Sequence, residues 1–142
     1  MHEPRLNHVV CRNPQGLHRM AYWEWGDPAN PSVLLCAHGL SRQGRDFDFL
    51  AQAMLAEYRV VCPDVVGRGQ SDWLTDPVGY HNMTYAADMV TLIARLNCEQ
   101  VDWVGTSMGG LIGLIVASLK DRRQNALVRR LVLNDVGPAI AH

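Results

Sequence analysis

The sequence carries little charge and almost no net charge: charged residues make up 19% of the 142, and the formal net charge is −1. A nucleic-acid binder normally shows a basic stripe, and none runs along this chain. Arg122, Arg123, Arg129 and Arg130 do gather. They flank an expected helix end and the strand after it, and read as a solvated face. Metal-site spacing is also missing. Cys11, Cys36, Cys62 and Cys98 are far apart, with no C-x-x-C pair and no Cys/His spacing of the zinc-site kind. No metal is therefore expected. Three of the four lie in apolar, strand-like runs, so they read as reduced, mostly buried thiols of a cytosolic protein. The opening MHEPRLNHVVCRNPQG has no apolar h-region, so no signal peptide is expected. The longest uncharged stretch, Trp103 to Leu119, is shorter than the ~20 residues a spanning helix needs. A glycine-rich turn also interrupts it, so no membrane contact is expected. Phosphate-binding loops are absent as well. No G-x-x-x-x-G-K-[ST] occurs, and residues 64–71, D-x-x-G-x-G-x-S, have Asp72 where a dinucleotide fingerprint needs its third glycine. No organic cofactor is expected. The sequence shows no internal repeat and no low-complexity segment.

What remains is a chain that is 48% hydrophobic, enough for the core of one domain over residues 1–142. Residues 8–12 and 18–26 read as two strands joined at Asn13-Pro14-Gln15-Gly16. Met20, Tyr22 and Glu24 alternate there with Ala21, Trp23 and Trp25. Residues 33–37, VLLCA, form a continuous apolar run, as a strand buried on both faces requires. A helix is predicted from Arg45 to Glu57, a strand over 59–63 and a loop over 64–83. Thr84 is placed to cap the next helix, with Asp88 in its first turn complementing the helix dipole. Strands follow at 101–104 and 131–133, with a helix from Ser107 to Leu119 between them. Alternating strands and helices predict an α/β fold, a mostly parallel sheet of about six strands with helices on both faces. Asp64 is expected to bind turn amides at a strand end.

One serine stands out, in VGTSMGG at residues 104–110. It sits between Gly105 and Gly109, where a predicted strand enters a predicted helix. A sharp turn there strains the apex and points its side chain out over the sheet. Side chains two positions either side would collide with the chain, so glycine fits. The apex also lies at a helix N-terminus, where N–H groups are free and negative charge is favoured. His38-Gly39-Leu40 directly follows strand 33–37, and Gly39 lets the chain turn so that the Leu40 N–H faces the serine. With the Met108 N–H this forms an oxyanion hole. The His38 imidazole itself reads as packed beneath the loop, since it precedes the serine in the chain.

The stretches LLCAHGLSRQGRDF, VVCPDVVGRGQSD, VDWVGTSMGGLIG and LVLNDVGP, in this order, resemble the α/β-hydrolase superfamily. They are most similar to its bacterial single-domain serine esterases, C–C hydrolases, enol-lactonases and cofactor-free haloperoxidases. The resemblance implies Ser107 as nucleophile, Met108 and Leu40 as oxyanion donors, and a small carbonyl substrate: an ester, a lactone, or the substrate of a C–C hydrolase or acyltransferase. Relatives that cleave epoxides or haloalkanes use an aspartate at this apex. The family pattern continues past residue 142 with further strands, a helical cap, an acid and a histidine. The chain is therefore expected to be the N-terminal part of such a domain. Asp135 is then a candidate acid, with His142 formally in order for a base. His18 and His81 read as surface or loop histidines. The last strand is expected to be an open edge, available for self-association or for assembly with a complementary partner.

Overall fold

The computed structural model describes residues 3–134. Two strands, β1 (Arg5–Asn13) and β2 (Gly16–Trp25), form a hairpin. They lead to β3 (Val33–Ala37), β4 (Arg59–Pro63), β5 (Val101–Thr106) and β6 (Val128–Asn134). The sheet order is β1-β2-β4-β3-β5-β6. Strands β4, β3, β5 and β6 run parallel, and β2 is antiparallel to both its neighbours. The result is the α/β fold expected from the sequence.

Among the described residues three α-helices cover the sheet: α1 (Asp48–Met54), α2 (Asn82–Arg95) and α3 (Met108–Ala117). Two apolar layers result. Met20, Tyr22, Leu35, Met89, Leu92, Trp103 and Ile112 pack on the face carrying α2 and α3. Trp25, Cys36, Phe47, Ala51 and Cys62 pack on the face carrying α1. The alternation in β2 divides its residues between these layers because successive side chains leave a strand on opposite faces. Residues 33–37 and 59–63 are buried throughout, which explains their unbroken apolar runs.

Several local expectations are corrected. The segment after β3 is not one helix from Arg45 to Glu57. It is a 3-10 turn, Gly44–Phe47, followed by α1. The N–H groups of Glu57 and Tyr58 both return to the Met54 carbonyl, ending the helix ahead of β4. Helix α2 starts two residues before Thr84, and His81 is its cap, accepting the Thr84 N–H at 3.4 Å. Asp88 therefore sits in the second turn, turned to the sheet and buried. His18 is not a surface histidine: it is 5% exposed, and its Nε2–H donates to Asp88 at 2.8 Å. Strand β6 begins at Val128, three residues earlier than its apolar run suggests.

Strand β6 lies at one edge of the sheet, with β5 as its only strand partner among the described residues. Val132 and Leu133 on it are exposed. No helix among the described residues is long and apolar enough to cross a membrane.

Candidate active site

Ser107 occupies the single residue between β5 and α3. Its backbone lies at φ 53°, ψ −114°, a conformation that only glycine adopts readily. Two anchors hold it there. The Ser107 N–H donates to the Asn134 carbonyl on β6 at 3.0 Å, and the Gly110 N–H donates back to the Ser107 carbonyl at 2.9 Å. Close packing supplies the rest. A Cβ on Gly105 would lie 2.5 Å from the Gly110 nitrogen, and one on Gly109 would run into the Ala37 carbonyl. The Trp103 indole, buried under α3, donates to the Gly109 carbonyl at 3.1 Å. Ser107 remains part-exposed at the C-terminal end of β5. As the first residue of α3, Met108 has an N–H with no acceptor inside the helix.

The loop after β3 lies alongside. A Cβ built on Gly39 would stand 3.8 Å from Ser107 Cβ, an ordinary contact distance, so the loop packs against the serine turn. Leu40 is 64% exposed, and its carbonyl accepts from Arg68 Nε at 2.9 Å. The Leu40–Ser41 peptide is thus held by its oxygen. His38 is fully buried. Its Nδ1–H donates to the Gly39 carbonyl at 2.7 Å, and its Nε2 accepts the Val65 N–H at 2.9 Å. Burial holds its pKa below the ordinary histidine value, so the ring is neutral at pH 7. His38 therefore ties the loop after β3 to the loop after β4, with both nitrogens in use.

Asp64 completes that scaffold. Its carboxylate accepts the Gly44 N–H at 2.7 Å and the Gln70 N–H at 2.8 Å. Ser71 donates to its carbonyl at 2.6 Å. The other described histidines are held elsewhere: His18 by Asp88, His81 at the start of α2, and His8 on β1 at the far edge of the sheet. Asp135 and His142 lie outside the described residues.

Three buried polar clusters escaped the sequence reading. Cys11, His18 and Asp88 have donor atoms of metal-binding type within 4.8 Å of one another. Burial and the neighbouring Asp88 push the Cys11 thiol up to about 12, which disfavours a thiolate there. Glu24 takes Arg59 Nε at 2.6 Å in the interior, and Arg59 also donates to the Leu96 carbonyl at 2.9 Å. Asp102 receives both arms of Arg129, at 3.0 and 2.8 Å, together with the Tyr58 hydroxyl. Arg129 is thus an ion-pair partner at the base of β6 rather than only part of a solvated face. Each cluster joins segments far apart in sequence, so no local spacing announces it.

A strand ending in a strained serine at a helix N-terminus, with a glycine loop from the neighbouring strand against it, is the core of the α/β-hydrolase architecture. A family model described as the alpha/beta hydrolase fold matches residues 32–142, and the chain belongs to that family. Among curated relatives, a 3-hydroxybutyrate-oligomer hydrolase of Cupriavidus necator is 64% identical over 97% of this chain and 46% of its own length. Among solved structures, an α/β hydrolase from Novosphingobium aromaticivorans superposes with a TM-score of 0.81 at 37% identity. It covers 97% of this chain and 46% of that one. A thioesterase domain from the curacin biosynthetic pathway gives 0.76 at 29% identity, covering 91% and 46%. The chain spans about half the length of the relatives it matches.

Proposed function

We propose that this chain carries the nucleophile and oxyanion site of a serine hydrolase acting on esters of short hydroxy acids. The observation that carries the reading is the backbone of Ser107: a non-glycine residue at positive φ, held part-exposed at a helix N-terminus. Strain of this kind persists where the surrounding structure over-determines it, and it clusters at active sites. Ser107 Oγ attacks the ester carbonyl carbon while its proton passes to a base. The tetrahedral oxyanion is received by the N–H groups of Leu40 and Met108. Collapse breaks the C–O bond, and the alcohol leaves with a proton. Water then cleaves the acyl-serine in a second pass of the same steps. The base is a histidine other than His38, whose two ring nitrogens are both in use, and other than His18 and His81, which are held by Asp88 and at the start of α2. No metal or organic cofactor enters these steps. The substrate class follows the 64% identical relative, whose name specifies hydrolysis of 3-hydroxybutyrate oligomers.

A fluorophosphonate probe tests the serine. Such probes react with a serine that has both a base and an oxyanion site. One adduct by intact mass, absent in Ser107→Ala, is the expected result. A folded chain that takes up no label would overturn an armed serine in this chain alone and favour a second reading, assembly with a complementary segment. The open edge of β6, with Val132 and Leu133 exposed, supports that alternative. Acyl transfer or C–C hydrolysis at the same turn is separated by product analysis with alcohol acceptors and with vinylogous diketones.

A further inference from the structure

Beside the loop that carries Leu40 lies a cavity of about 280 Å³, lined by Ser41, Arg42, Gln43, Arg68 and Gly69. Two of these residues are cations and none is a carboxylate. Both guanidinium groups are held in place. Arg68 donates from Nε to the Leu40 carbonyl at 2.9 Å and from Nη1 to the Val66 carbonyl at 3.0 Å, and it lies 5.1 Å over the Tyr85 ring. Arg42 donates from Nε and Nη2 to the two oxygens of Asp46, at 2.7 and 2.9 Å. Among the described residues this leaves Nη2 of Arg68 and Nη1 of Arg42 without a partner. The cavity is therefore bordered by two oriented arginines, each with one unused end. One of them also holds the Leu40–Ser41 peptide, which follows the residue whose N–H is to receive the oxyanion. Asp46 pairs with one of the two positive charges, and the buried Asp64 carboxylate behind Gly69 offsets part of the other.

The loop that carries Arg42 lies against the serine turn. A Cβ at Gly39 would stand 3.8 Å from Ser107 Cβ and 3.7 Å from Arg42 Cγ. Resting on the reading of Ser107 as an ester-cleaving nucleophile, we propose that Arg42 and Arg68 form a carboxylate-binding subsite for the leaving group. Its ligand is the free-acid end of a short oligo-ester of a 3-hydroxy acid. In such a chain the last ester carbonyl carbon is four bonds from the terminal carboxylate carbon, about 5 Å at ordinary bond lengths. The subsite calls for a carboxylate at the arginines about that far from a scissile carbonyl over Ser107. Attack by Ser107 Oγ at this last ester forms the acyl-serine. The broken C–O bond releases one 3-hydroxy acid, which leaves as an alcohol after taking a proton and remains held by its carboxylate. Arginine suits the task because its planar fork pairs with carboxylate oxygens and stays charged at all working pH values. The subsite specifies cleavage from the acid end, one unit at a time.

The test is binding, so that turnover is not required. The linear dimer of 3-hydroxybutyrate and its methyl ester are titrated into the Ser107→Ala chain by calorimetry at pH 7 and low salt. The free acid is expected to bind at least tenfold tighter than the methyl ester, with the preference shrinking at high salt. In the Ser107→Ala, Arg42→Gln double variant, checked for an unchanged melting curve, the preference is expected to fall below threefold. Equal binding of the two probes, no binding of either, or a preference unchanged by Arg42→Gln would each overturn the subsite. Fluorophosphonate labelling of the parent chain, which involves no carboxylate, reports separately on Ser107. Labelling without acid preference sinks the subsite alone. Acid preference without labelling retains the subsite and counts against the serine.

Discussion

His38 Nε2 accepts the Val65 N–H at 2.9 Å, joining the loop after β3 to the loop after β4 beneath the serine turn. The bond exists only for a neutral ring, since a protonated imidazole has no acceptor nitrogen.

The folded pKa of His38 is depressed, chiefly by burial. The unfolded chain therefore binds its proton more readily. The stabilising contribution is complete above the unfolded value of about 6.5 and declines as pH falls toward the depressed folded value. The melting temperature is expected to drop between pH 7 and pH 5, and to drop less steeply in His38→Asn. The variant should also be less stable at pH 7 by about 1–3 kcal/mol, since the buried Val65 N–H loses its acceptor. Equal slopes in the two proteins would remove His38 from the acid response.

Strain at Ser107 has a measurable sign. A residue held at such a backbone costs about 1–3 kcal/mol, against roughly 0.5–1 kcal/mol for the added freedom of glycine in the unfolded chain. Ser107→Gly is expected to stabilise the fold by about 1 kcal/mol in urea unfolding. Ser107→Ala, which keeps a Cβ, should leave stability nearly unchanged. Equal stabilities for the glycine and alanine variants would mean that the turn is relaxed.

Gly109 faces the opposite test. Its Cβ position is occupied by the Ala37 carbonyl of β3, a central strand that has no room to shift. Gly109→Ala should cost about 1–3 kcal/mol and abolish fluorophosphonate labelling of any serine that the parent labels. A variant that melts like the parent would mean that α3 is free to move away from β3.

The Glu24–Arg59 pair lies inside the sheet, with side chains 4% and 10% exposed. Neutralising one partner of a buried pair strands the other charge. Glu24→Gln is therefore expected to lose about 3 kcal/mol by urea denaturation. A loss below 1 kcal/mol would show that Arg5, 3.3 Å from the same carboxylate, and bulk water already screen the interaction.

Some of this architecture was legible from local pattern. The buried runs 33–37 and 59–63, the alternation across β2 and the glycines flanking Ser107 each reflect a constraint acting within a few residues. A strand buried on both faces must be apolar throughout. A strained apex under a close-packed helix needs glycines two positions away. The extent of β6 was not legible, because Arg129 and Arg130 read as solvated until Asp102 on β5 stood beside Arg129. His18 and Asp88 were misplaced for a similar reason. They are 70 residues apart, and only the packing of α2 against the hairpin brings them together.

The sequence by itself determined the alternation of strands and helices and the position of the serine turn, since hydrophobic period and backbone sterics are local properties of the chain. The tertiary structure decided which polar groups meet. It gave His38, expected to pack beneath its loop, the role of a neutral clamp between two loops. It set Arg42 and Arg68 at one cavity beside the loop that carries Leu40. Those pairings depend on the order and register of six strands, which no single stretch of residues encodes.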